Sequence, residues 1–147
     1  VSVNAGTGSA RACITNEEGD IVGLASQNIG LWQPETVYYE QSITEIWKFI
    51  HKSVHRVMDK HNISPDSAHG ICFDVTRSLA DFDEETGEPR SVTGPKSRNA
   101  DANDNNVILR RDHRSVEESK KINATKHNLL KYVGGTMSME IEMPKIL

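Results

Sequence analysis

Val1-Ser2-Val3-Asn4-Ala5-Gly6-Thr7-Gly8-Ser9-Ala10-Arg11-Ala12 opens the chain, and the reading of this stretch decides the fold. Val1 and Val3 alternate with polar residues, as in a half-buried strand. Ala10, Ala12 and Ile14 alternate again, so the spacing predicts strand, tight turn, strand. The turn, Gly6-Thr7-Gly8-Ser9, is small and hydroxyl-rich. Successive backbone N–H groups in such a turn converge on one point, a concavity suited to phosphate oxygens. Glycine belongs where backbone bends sharply or approaches a ligand closely. The plainer reading is a hairpin turn and nothing more. The stretch is neither a P-loop, which needs Gly-x-x-x-x-Gly-Lys-Ser/Thr, nor a dinucleotide fingerprint, since no third glycine opens a helix.

Outward from this stretch, Asn16-Glu17-Glu18-Gly19-Asp20 has turn composition and Ile21–Ala25 reads as a third strand, giving an antiparallel three-stranded start. Gly30–Pro34 is irregular. Ser42 and Glu45 have capping-box spacing. Ile43, Ile46, Trp47, Ile50, Val54, Val57 and Met58 follow at intervals of three and four as one apolar stripe of a helix that fades at His61-Asn62. His51 and His55 lie one turn apart, but no third ligand with recognisable spacing supports a metal, and they read as the flank of the stripe. Ser64-Pro65-Asp66 starts a short further segment.

Gly70-Ile71-Cys72-Phe73 reads as a buried strand ending at Asp74, with Thr76 and Ser78 just beyond. Ligands in open α/β folds sit beyond strand carboxyl ends; the bland alternative is that Asp74 and Thr76 only end a strand. Leu79–Asp83 and Pro89–Val92 read as a hairpin around Glu84–Glu88. Residues 93–106 form a long polar loop, of the kind that is functional or mobile. Val107-Ile108-Leu109 is the next strand and delivers Arg110-Arg111-Asp112-His113-Arg114. A solvated turn with Asp112 or Ser115 as N-cap would also explain that run. Val116–Asn123 and Lys126–Val133 read as helices, and Gly134-Gly135 as a stop.

The totals narrow the classes. Lys plus Arg is 17 and Asp plus Glu 21, a net charge of −4, without the basic face that nucleic acid requires. No apolar run reaches membrane-span length. Cys13 and Cys72 make no disulfide framework and read as buried free thiols in a reducing cytosol.

Read together, Gly6–Ala12, Phe73-Asp74-Val75-Thr76-Arg77-Ser78-Leu79, Asn106–Arg114, and Tyr132–Gly135 with Ser138-Met139-Glu140 and Pro144-Lys145 resemble, in order, four motifs of the FGGY carbohydrate kinases, nearest to their D-ribulokinase-like branch. The resemblance implies an α/β, ribonuclease-H-like (actin-like ATPase) fold: a partial N-terminal domain with a mixed sheet and flanking helices. Residues 1–147 are then expected to be the incomplete first domain of a two-domain kinase. In that family a loop enters a helix at Pro144.

The implied reaction moves the γ-phosphoryl of ATP to a hydroxyl of D-ribulose or a related ketopentose, with Mg2+, in the cytoplasm. It implies phosphate contacts at Gly6, Thr7, Gly8, Ser9 and Arg11, although Arg11 could equally face solvent. It implies sugar contacts at Asp74, Thr76, Arg77, Ser78, Asp112 and Arg114. The expected base and adenine pocket lie beyond Leu147, so the chain alone is expected to be inactive. Glu40-Gln41 reads as structural. Three positions depart from the family. Asn4 stands where an Asp serves Mg2+ through water, Arg77 where the branch has a small residue or Cys, and Arg110 where it has Trp. Those departures keep open a pseudokinase that binds sugar or nucleotide without turnover. An actin-like interaction module without a sugar is a third reading.

Overall fold

The computed structural model describes residues 1–93 and 105–147, so most of the long polar loop expected over 93–106 lies outside the described residues. The chain divides into two compact units, Val1–Leu31 with Ser42–Thr76, and Trp32–Gln41 with Arg77–Leu147.

In the first unit, β1 (Ser2–Ala5), β2 (Ser9–Thr15) and β3 (Ile21–Asn28) form the antiparallel start the sequence predicts, and β5 (Cys72–Val75) joins β1 in parallel. The order β3-β2-β1-β5 is a mixed sheet. Alternation is strict in β2, where Ala10, Ala12 and Ile14 are buried between more exposed neighbours. These residues, with Val3, Ala5 and Ala25, turn one face toward helix α1 (Ile43–Lys60).

Ser42 caps α1 by accepting the Glu45 N–H at 3.2 Å. The capping box is half made, because the Glu45 carboxylate reaches across to the Gly30 N–H at 2.9 Å. The helix buries Ile46, Ile50, Ser53 and Val57. Trp47, expected in the stripe, is 61% exposed. It sits about 100° around the helix from Ile46 and stacks on Phe73 at 6.5 Å between ring centroids. Inside the stripe instead is Ser53, whose hydroxyl donates to the Ala10 carbonyl at 3.2 Å. His51 and His55 are exposed with their rings 4.2 Å apart, and no cluster of three or more metal-ligating side chains exists among the described residues.

At Gly23, β3 packs closely against the C-terminal end of α1. A Cβ there would lie 2.5 Å from His61 Cδ2 and 2.8 Å from Val57 Cγ2. The imidazole can swing away, but Val57 is fully buried. Gly23→Ala is therefore expected to cost about 1–3 kcal/mol by overpacking, measured by denaturant titration; His61→Ala in the same chain should return only part of it.

The strand expected over Gly70–Phe73 runs from Cys72 to Val75, with Asp74 inside it rather than at its end, and it is not buried. All four residues of β5 are exposed, because β5 is the outer strand of its sheet. The reading of two buried thiols fails for the same reason. Cys72 is exposed beside Ser2, on the face turned away from α1, and Cys13 is half-buried. Ser2 pairs with both Cys13 and Cys72, so two strand spacings, about 10 Å, separate the cysteines. No disulfide can close over that span.

In the second unit β4 (Glu40–Gln41), β7 (Val107–Ile108) and β6 (Leu79–Ala80) form an antiparallel sheet in the order β4-β7-β6. The expected hairpin follows β6. Asp83 caps its turn by accepting from the N–H groups of Glu85 and Thr86, Gly87 takes a φ of +72°, and Arg90 holds Asp81 at 2.8 and 3.1 Å. Helix α2 (Val116–Ala124) stands where predicted, while the second expected helix is a 3-10 helix, Asn128–Val133. Gly134 ends it with φ +84°, in the left-handed region open to glycine. A loop then enters α3 (Glu142–Ile146), which contains Pro144, as the family resemblance implied and against the alternating methionines.

Candidate functional site

β1 and β5 run parallel and end side by side at Ala5 and Val75. The Gly6–Ser9 turn leaves one strand end and Thr76 leaves the other, so both candidate segments of the first unit emerge at strand carboxyl ends, where ligands of such sheets bind. The turn is closed by the Gly6 N–H donating to the Ser9 carbonyl at 3.0 Å, and the Ile29 N–H holds the Gly8 carbonyl at 3.1 Å.

Neither Gly6 nor Gly8 has a positive φ. Nothing lies within 4 Å of a Cβ placed on Gly8, and at Gly6 the nearest atoms are 3.9 Å away. The chain's own conformation and packing thus require no glycine at either position. Arg11 is exposed one strand over from Asn4.

Asn4 and Asp74 are register partners across β1 and β5, and Asn4 Nδ2 donates to Asp74 Oδ2 at 2.8 Å. That bond sets the amide's orientation and turns its oxygen toward Gly6. The remaining donors of the pair are oxygens, the type that suits a hard cation. Thr76 is less available than the sequence suggests. Its hydroxyl and its N–H both donate to the Ala5 carbonyl, at 3.1 and 3.0 Å, tying the two strand ends together.

The other candidates lie in the second unit. Arg77 and Ser78 precede β6; the Arg77 side chain is 79% exposed, with Nε 3.9 Å from Glu142 Oε1. Asp112 is not in a solvated turn. It is fully buried, accepting from the Tyr39 N–H at 2.7 Å and from the Arg114 N–H, Nε and Nη2 at 2.8–3.0 Å. Arg114 also donates to Glu40 Oε1 at 2.7 Å and to the Val92 carbonyl at 2.8 Å, and lies over the Tyr38 ring. Thr93 donates to the other Glu40 oxygen. Burial opposes the charge on Arg114, but its hydrogen bonds to Asp112 and Glu40 outweigh burial and raise the guanidinium above its ordinary value. Ser115 begins α2 without a side-chain cap and instead donates to the Met139 carbonyl.

Sequence reasoning missed Thr93, Glu142 and Lys145. Lys145 reaches out of α3 to the carbonyls of Leu109 and Arg110 at 2.7 and 3.1 Å, and burial lowers its ammonium from its usual value. Only the Pro144-Lys145 resemblance touched it, and no spacing rule marks a lysine that clamps backbone.

A model of the FGGY family of carbohydrate kinases, N-terminal domain, matches residues 1–92. Over 146 residues the chain is 40% identical to the D-ribulokinase YDR109C of Saccharomyces cerevisiae, covering 99% of this chain and 20% of that protein. The fold is that of a xyloylose kinase from Brucella ovis, with TM-score 0.81 at 18% identity over 98% of this chain and 27% of that one. It is also that of Plasmodium falciparum glycerol kinase with ADP, with TM-score 0.69 at 20% identity over 99% of this chain and 27% of that one. The chain spans about a fifth to a quarter of the curated relatives it matches. The mixed sheet with flanking helices is thus the actin-like ATPase fold of the sugar kinases, in part. With an open glycine turn at the strand ends and a family match through the first ninety-two residues, the chain belongs to the FGGY family of carbohydrate kinases.

Proposed function

We propose that the full-length polypeptide carrying this chain transfers the γ-phosphoryl group of ATP to a hydroxyl of a ketopentose, with D-ribulose the favoured acceptor. Residues 1–147 are read as part of its first domain, inactive alone because no residue in them is assigned as the base that takes the hydroxyl proton. The observation that carries this reading is the Gly6–Ser9 turn, whose glycines the fold itself does not need. Two similar proteins point the same way by name: the yeast relative is a D-ribulokinase, and the Plasmodium neighbour carries ADP.

ATP, when bound, supplies the transferred group and a charge to be neutralised. Gly6 and Gly8 let phosphate oxygens approach backbone N–H groups, Thr7 and Ser9 offer hydroxyls, and Arg11 offers a charge-assisted pair. Asn4 and Asp74 would hold hydrated Mg2+ through water. Asp74, Thr76, Arg77 and Ser78 are read as the sugar side, with Asp112 and Arg114 positioning the segment after β7 from within. No described helix is long and apolar enough to cross a membrane, and the working location of this reading is the cytoplasm.

Asn4 favours a second reading, a pseudokinase. A neutral amide holds a hydrated cation less well than a carboxylate. The test is ADP formation by the full-length polypeptide with ATP, Mg2+ and a panel of ketopentoses and pentitols, beside Asn4→Asp. D-ribulose-dependent turnover in the unaltered protein is the expected result. Turnover only in Asn4→Asp would make the native protein a lapsed kinase, and silence in both would sink the ketopentose reading. Without Mg2+, Asn4→Asp should also be less stable at neutral pH. It sets two carboxylates side by side, which raises one folded-state pKa. Stability should then rise on acidification, as that carboxyl takes up its proton, read as the unfolding midpoint along an acid titration.

A further inference from the structure

Among the described residues two buried side-chain oxygens have no hydrogen-bond partner, Ser78 Oγ and Glu142 Oε1. Native proteins leave few such groups, because each loses its hydration without return. Both belong to the second unit, and Arg77 connects them. It is the chain neighbour of Ser78, and its Nε lies 3.9 Å from that same Glu142 oxygen. β6 and β7 pair at Leu79–Ile108, so Arg77 and Ser78 stand just before that pair and Leu109 and Arg110 just after it. Lys145 anchors α3 to the carbonyls of Leu109 and Arg110, which brings the first turn of α3, with Glu142, to the same end of the sheet. The position of Glu142 is therefore imposed by a clamp rather than left to a loose tail.

We propose that Glu142 is a further substrate-contact and specificity-determining residue: its carboxylate and the Ser78 hydroxyl receive a hydroxyl of a neutral polyol, and its charge offsets that of Arg77. The inference rests on the sugar-kinase reading above. Buried oxygens without partners suit a group that can both donate and accept, which a sugar hydroxyl does. Arg77 alone would select an acid, because guanidinium pairs with carboxylate in a two-pronged geometry. At 3.9 Å and largely exposed, Arg77 is only loosely held by Glu142. Its charge is offset but its donors are not used up. Removing the Glu142 charge therefore exposes a cation beside the sugar and changes which class of polyol is accepted.

The experiment compares the unaltered full-length polypeptide with Glu142→Gln, Ser78→Ala and the double variant Glu142→Gln/Arg77→Met. ADP release is followed with D-ribulose, a neutral pentitol and a five-carbon aldonate. Expected for Glu142→Gln is a KM for D-ribulose raised about tenfold with kcat changed far less. The aldonate KM should fall, and that gain should vanish in the double variant. Ser78→Ala should raise the D-ribulose KM in the same direction. Thermal midpoints should stay level, since Glu142 is partly exposed, its Oε1 lacks a hydrogen bond and its ion pair with Arg77 is loose. Turnover by the unaltered protein with KM values unmoved in all variants would overturn this inference and leave the kinase reading standing. A loss of kcat with a lowered midpoint and no change in sugar preference would make Glu142 structural, and also overturn it. No turnover by the unaltered protein with any polyol would overturn the kinase reading and this inference with it.

Discussion

Arg114→Met should lower the free energy of opening around β4 and β7 by about 3–5 kcal/mol. The size follows from what is left behind. Glu40 and Asp112 are fully buried, and Arg114, with a side chain 14% exposed, is the cation that meets both. Without it two buried carboxylates keep neutral donors among the described residues, Thr93 on Glu40 and the backbone N–H groups of residues 39 and 114 on Asp112, but lose the cation they share. A typical domain has about 5–15 kcal/mol to lose, so this one change removes a large share. Hydrogen exchange at the amides of Tyr39, Glu40 and Leu109 reads the opening locally, without assuming that a multidomain protein unfolds in one step. The triple change Glu40→Gln/Asp112→Asn/Arg114→Met removes the charges together and should recover much of the loss. If the triple variant opens as easily as Arg114→Met, the cost is lost packing against Tyr38 rather than stranded charge.

Gly8→Ala is expected to act in opposite directions on stability and activity. The position has an ordinary φ and open space around it, so alanine costs the folded state nothing and restricts the unfolded chain. Stability should hold or rise by about 0.4–1 kcal/mol. If the turn cradles phosphate, the added methyl group stands where an oxygen must come, and displacing the transferred group by about 1 Å costs about a hundredfold in rate. The check is kcat/KM for ATP in the full-length polypeptide beside its thermal midpoint. Unchanged kinetics with an unchanged midpoint would return the turn to a plain hairpin and remove the main support for the kinase reading.

Local patterns carried into the structure wherever one element decides them alone. The alternation of Ala10, Ala12 and Ile14, the Ser42 cap and the Gly134-Gly135 stop stand as the sequence predicts. What failed depends on neighbours that one stretch cannot name. Apolar content marks Gly70–Phe73 as a strand, but only sheet order puts it on an edge and exposes Cys72. Trp47 and Ser53 exchange their expected places because a helix stripe is wider than the strip of sheet that covers it. The candidate site divides in the same way. The turn and Asp74 were readable from composition beside strand ends. The enclosure of Asp112 was not, because Tyr39, which donates to it, and Glu40, which shares Arg114 with it, come from more than seventy residues earlier. No motif marks Glu142, whose neighbours Arg77 and Lys145 flank it from the distant segment before β6 and from its own helix.

The bond from Ser53 to Ala10 has a mechanical meaning. Ala10 is the first residue past the turn, so its carbonyl is the root from which the Gly6–Ser9 loop projects, and the hydroxyl of a buried helical residue pins that root. The turn is thus fixed at two points, at its root by this bond and at Gly8, whose carbonyl accepts the Ile29 N–H, and it cannot translate along the strand. Ala10 is also paired with Ala5 and Gln27 in the sheet, so a load on the turn is shared between its neighbouring strands and the eighteen-residue rod of α1.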